Sequence, residues 1–274
     1  MSRIEKRFAE LRDAGRKALI PYITAGDPHP GVTVDLMHGL VDAGADLVEI
    51  GVPFSDPIGD GPVIQLACER ALVHGTSLPG VLDMVARFRE RDTETPVVLM
   101  GYINPIEARG YKSFVEAAVA AGVDGVLTVD MPPEEMGELS GYLAAAGLDP
   151  IFLVAPTTTE ARMQVICDHA RGFVYYVSLK GVTGADTLDV EAVADRVGRL
   201  HGMTGLPVGV GFGISTPEKA AAMSRAADAV VVGSALVRRI EANKDDHVTL
   251  KREVTELLAG MRRAMDAEAA QPAY

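Results

Sequence analysis

Cysteine is scarce in this sequence, positive charge is outnumbered, and long apolar runs are missing. The two cysteines, Cys68 and Cys167, show no metal-ligand spacing and sit in the runs IQLACERAL and QVICDHA. Both read as small buried helix residues. The six histidines (His29, His38, His74, His169, His201 and His247) form no ligand pair, so no metal site is expected. Against 38 acidic residues stand 26 basic ones, a net charge of −12. Nucleic acid and anionic membranes would both be repelled by that balance. A small anionic ligand is not excluded, because it feels local dipoles more than net charge. The first residues, MSRIEKRFAELRDAGRK, are charged throughout and hold no apolar signal core. No run approaches the roughly 18 to 20 apolar residues of a membrane span. A soluble cytoplasmic chain is expected.

What the sequence does contain is a regular alternation. Its 274 residues suit one large α/β barrel or two modest domains, and 48% of them are apolar. Eight short apolar runs recur: 18–24, 45–52, 95–102, 124–129, 149–154, 172–178, 206–212 and 227–233. They are rich in Val, Ile and Leu and nearly free of polar alternation, the pattern of parallel strands covered on both faces. Between them, residues 32–43, 63–74, 78–91, 111–121, 133–146, 158–170, 190–201 and 217–226 carry apolar positions at helical spacing. In the last helix Val254, Leu257, Leu258, Met261 and Met265 share one face, with Lys251, Arg252 and Glu256 outside. Thr216-Pro217-Glu218 sets a capping hydroxyl before a first-turn proline. Residues 3–14 read as an extra N-terminal helix that closes the barrel bottom, and the tail AEAAQPAY from 267 on reads as frayed. The sum is a single (β/α)8 barrel domain without linkers. A doubly wound open sheet is the alternative.

Barrels of this kind place chemistry at the C-terminal ends of their strands. Glu49 lies near the end of the second apolar run, LVEIGV. A carboxylate inside a buried strand is costly without a partner or a task. Burial would raise its pKa into a range useful for proton transfer. The following loop, VPFSDPIGDGPVIQ, carries Asp56 and Asp60. Turn capping explains Asp56; Asp60 competes as a second catalytic carboxylate, because two carboxyls in different environments can divide acid and base work. Three late loops hold GVTGA (181–185), GFGIS (211–215) and GSA (233–235). Their backbone N–H groups, with the Ser234 hydroxyl at a helix start, suit a phosphate. The glycines of 209–213 come too late and with the wrong spacing for a dinucleotide fingerprint. Lys180, in the loop SLKGVTG, reads as an exposed loop lysine rather than a Schiff-base residue.

At this point the residues resemble a known family. LVEIGVPFSDPIGDGPVIQ (47–65) is similar to the signature of the tryptophan synthase alpha subunit. The likeness continues through PYITAGDP, MGYINPI, VDMPPEE, GVTGA, GFGIS and VVGSALV, in order along the chain. It implies a (β/α)8 barrel that cleaves indole-3-glycerol phosphate to indole and glyceraldehyde 3-phosphate by a retro-aldol reaction. Glu49 and Asp60 match the catalytic carboxylates. Gly184, Gly213, Gly233 and Ser234 fall in the phosphate loops, with Ile214 nearby. Tyr22, Met100, Leu127, Tyr175 and Phe212 fall at the indole pocket. The resemblance implies no cofactor in this chain and an α2β2 complex, whose beta subunit carries pyridoxal phosphate and receives indole through a tunnel. Thr183 is expected to bond Asp56 or Asp60 when the loops close. Tyr22 stands where some relatives carry Phe, and Met100 where some carry Leu, an apolar swap of nearly equal volume. SLKG replaces a stretch that holds an arginine in some relatives. Two further readings stay open here: a stand-alone lyase releasing free indole, and a mainly regulatory subunit that binds the ligand.

Overall fold

The computed structural model describes residues 1–178, 190–211 and 213–270. Eight strands appear where the apolar runs lie. They are β1 (Ala18–Thr24), β2 (Val48–Gly51), β3 (Val97–Gly101), β4 (Gly125–Thr128), β5 (Asp149–Val154), β6 (Val174–Val177), β7 (Val208–Gly211) and β8 (Ala229–Val232). Each pairs in parallel with the next, and β8 returns to β1, so the sheet closes into a barrel. The open-sheet alternative is therefore excluded.

The helices begin with α1 (Arg3–Asp13), α2 (Pro30–Asp42), α3 (Pro62–Val73), α4 (Leu78–Arg89), α5 (Ile103–Arg109) and α6 (Tyr111–Ala121). They continue with α7 (Gly137–Ala146), α8 (Glu160–His169), α9 (Val190–Met203), α10 (Pro217–Ser224), α11 (Ser234–Ala242) and α12 (His247–Ala269). Thr216 caps α10 as its spacing implies, accepting from the Lys219 N–H with Pro217 in the first turn. Cys68 and Cys167 are buried, in α3 and α8. The helix α5 has no counterpart in the sequence reading, since seven residues are too few to show a period. Gly110, at φ 84°, divides it from α6. The helix α12 runs to Ala269, so the fraying expected from 267 is not found there; Glu268 instead pairs with Arg225 at 3.1 Å.

Two layers of core follow from strand alternation. Leu19, Ile23, Val48, Ile50, Val97 and Leu99 face outward into the helices. Ile20, Leu47, Val98, Leu127, Ile151 and Phe173 face inward and fill the lumen. Ile4, Phe8 and Leu11 of α1 join that inner cluster, with the Phe8 and Phe173 rings 5.8 Å apart. The extra helix thus plugs the N-terminal end of the barrel. Aspartates stitch the same end. Asp46, Asp124 and Asp228 accept from the Leu19, Val97 and Val208 N–H groups of adjoining strands at 2.8–2.9 Å. Arg7 and Arg262 neutralise Asp46, and Arg3 and Arg89 neutralise Asp124. One end of the barrel is thus sealed by ion pairs, and the other is left for chemistry.

Candidate active site

Alternation also aims Glu49. It lies two residues from Leu47 on β2, so both side chains enter the lumen, Leu47 in the core and Glu49 above it. Glu49 is only 2% exposed, and its Oε1 has no hydrogen-bond partner in the protein. Loss of hydration, reinforced by the nearby Asp60 charge, pushes its pKa up to about 8. At neutral pH this carboxyl is largely protonated, which makes it a proton donor rather than a fixed anion.

Asp60 arrives from the β2–α3 loop. Burial raises its pKa, and a hydrogen bond from Tyr102 opposes that rise. The Tyr102 hydroxyl donates to Asp60 Oδ2 at 3.0 Å and accepts from the Gly59 N–H at 2.9 Å. Its ring stacks on Phe54, centroids 5.2 Å apart. Gln65 of α3 donates to the Asp60 carbonyl at 2.8 Å. One tyrosine at the end of β3 therefore grips the loop at three points. Asp56 of the same loop is exposed and accepts from its neighbour Ser55 at 2.6 Å, away from the cleft wall.

Tyr22 stands beside Glu49 across the β1–β2 ladder, and Tyr175 enters from β6. Both phenols are buried and titrate well above the usual tyrosine range, chiefly through desolvation, so they remain neutral walls. Their hydroxyls need room. Gly51 and Gly211 supply it, because a methyl at Gly51 would collide with the Tyr22 hydroxyl and one at Gly211 with that of Tyr175.

These residues surround one cleft of about 700 Å³, counting its solvent-filled mouth. Tyr22, Tyr175, Met100, Ile64 and Val231 form its apolar part, with Glu49 and Asp60 alongside. Gly213, Gly233, Ser234 and Arg238 line another part. Gly213 has φ 74°, a conformation open to glycine. Gly233 precedes α11 without a side-chain cap, so the first-turn N–H groups keep their donor capacity. Leu127 does not line the cleft. It is fully buried beside Met100 in the inner cluster, where its side chain fills the lumen. Thr183, Gly184, Phe212 and Lys180 lie outside the described residues.

Sequence reasoning missed Tyr102, Ile64 and Arg238. Tyr102 had a signal, a polar aromatic at the C-terminal end of a strand. Arg238 had one too, four residues after Ser234 on the same helix. Ile64 had none, since one apolar residue in an apolar helix looks like any other.

A closed parallel barrel, with two unequal carboxyls and a glycine–serine rim at the C-terminal ends of its strands, defines an acid–base barrel enzyme. The family described as "Tryptophan synthase alpha chain" matches residues 8–266. The Thioalkalivibrio sulfidiphilus tryptophan synthase alpha chain is 64% identical over 97% of this chain and 100% of its own length. The crystal structure of tryptophan synthase subunit alpha from Legionella pneumophila superposes with a TM-score of 0.91 at 47% identity, covering 97% of this chain and 99% of that one. A chain of the Pyrococcus furiosus tryptophan synthase α2β2 complex gives 0.82 at 38%, covering 90% and 98%. The chain belongs to the tryptophan synthase alpha chain family, lyases of tryptophan biosynthesis.

Proposed function

We propose that this cleft cleaves indole-3-glycerol phosphate, with Glu49 moving the protons and Asp60 holding the developing charge. The observation that carries this reading is Glu49 itself, a buried carboxyl lacking a partner for Oε1, with a pKa pushed up to about 8. The indole ring lies among Tyr22, Met100, Ile64 and Tyr175, and the phosphate at Gly213, Gly233 and Ser234. Protonated Glu49 delivers its proton to C3 of the ring, which places a positive charge on the ring nitrogen side. Ionised Asp60 accepts a hydrogen bond from the ring N–H and stabilises that charge. The bond from C3 to the glycerol carbon then breaks, and its electron pair restores the aromatic ring. The adjoining hydroxyl becomes the aldehyde as its proton passes to Glu49, which ends as it began. Both proton transfers run through Glu49, and Asp60 stabilises charge without exchanging a proton.

Indole then passes to a beta subunit. The P. furiosus relative comes from an α2β2 complex, which supports that partnership. No helix among the described residues is long and apolar enough to cross a membrane. A cytoplasmic location follows from the biosynthetic role proposed for this family member. The test is indole release from indole-3-glycerol phosphate by the purified chain, alone and with a beta subunit. Release by the wild type and its loss in Asp60→Asn by roughly 100-fold or more support the reading. Wild-type rates in Asp60→Asn contradict it.

A further inference from the structure

The cleft carries one cation among its described lining residues. That cation, Arg238, lines it together with Ser234, Gly233 and Gly213. It is exposed and makes no ion pair or hydrogen bond to a described residue. Glu241 of the same helix, by contrast, pairs with Arg70 at 3.0 Å.

The helix dictates where Arg238 reaches. It lies four residues after Ser234, so the two occupy one face of α11. Helical side chains lean toward the N-terminus, which carries the long guanidinium arm back toward Ser234 and the first-turn N–H groups. The electrostatic setting gives a cation there a task. The protein carries a net charge of −12, and the same cleft holds Glu49 and Asp60. A dianionic ester entering it meets repulsion that neutral amides and a hydroxyl offset only in part. A guanidinium stays charged at every working pH and presents paired donors to phosphate oxygens.

We infer that Arg238 is a specificity-determining residue for the anionic end of the substrate, closing over the phosphate held at the start of α11. This inference rests on the lyase reading above. Arg238 binds and selects; it does not touch the bond that breaks. Its loss therefore raises KM and leaves kcat nearly alone.

The experiment compares wild type, Arg238→Gln and Arg238→Lys in cleavage kinetics and in calorimetric binding of sn-glycerol 3-phosphate. The position is exposed, so folding should survive, and circular dichroism checks it. We expect KM and the glycerol phosphate dissociation constant to rise together by roughly 5- to 20-fold in Arg238→Gln. kcat should stay within about twofold, and Arg238→Lys should restore most of the loss. Salt should weaken binding less in Arg238→Gln than in wild type, because a screened cation has been removed. Unchanged KM and unchanged glycerol phosphate binding in Arg238→Gln would overturn the inference and leave the lyase reading standing. A wild type that binds glycerol phosphate but releases no indole would overturn the lyase reading instead, while the binding ratio still decides the role of Arg238.

Discussion

A carboxylate at position 48 or 50 of β2 would meet the helices; only 47, 49 or 51 look into the lumen, and 51 must be glycine to clear Tyr22. Glu49 is thus the one place on that strand where a carboxyl can be both buried and aimed at the cleft. Its raised pKa has a consequence for stability. Between pH 4.5 and about 8 the unfolded chain releases the Glu49 proton while the folded chain keeps it. Stability therefore falls as pH rises through that window, and the penalty is complete above about 8. Glu49→Gln removes it. Urea unfolding should show the variant and wild type alike near pH 4.5, with the variant ahead by about 5 kcal/mol at pH 9. Equal stability at both pH values would show that Glu49 ionises freely in the fold. The rate has its own pH limits: cleavage should decline above about pH 8 as Glu49 loses its proton.

At the scale of elements, the loop from β2 to α3 is held by β3 through Tyr102. Removing that hydroxyl should loosen the loop and raise the Asp60 pKa further, since the lost hydrogen bond favoured the charged form. Tyr102→Phe should cut kcat roughly 10-fold and move the acid limb of the pH–rate profile upward. A profile with an unmoved acid limb would mean that Tyr102 does not tune Asp60. Such cross-element contacts mark where the sequence stops being legible. The eight strands could be read from apolar runs because burial on both faces leaves a strong local pattern. Glu49 and Asp60 could be read because a charge in a strand and an aspartate among turn residues stand out locally. The grip of Tyr102 on residues 42–43 positions away leaves no local mark, and neither does the filling role of Leu127, which sits below the cleft rather than on its wall. The short helix α5 escaped for want of length.

At the scale of the whole molecule, the barrel separates its duties by end. The N-terminal end is locked by α1 and by aspartates tied to arginines. Arg262 is the most enclosed of these ties: it is 6% exposed and bonds the Lys17 carbonyl at 2.9 Å and Asp46 at 3.1 Å. Arg262→Met should cost about 3 kcal/mol, because it strands part of a buried charge, with little effect on kcat. Thermal unfolding and steady-state kinetics on the same sample check both halves, and a large loss of kcat without loss of stability would contradict this division of the fold. The C-terminal end holds the cleft and, within it, the partnerless Oε1 of Glu49. The role of that carboxyl is tested by single-turnover indole release from indole-3-glycerol phosphate by Glu49→Gln, with beta subunit present. The variant should fold, bind substrate normally and release indole several orders of magnitude more slowly than wild type. A folded variant that cleaves within about tenfold of the wild-type rate would show that the proton reaches C3 by another route.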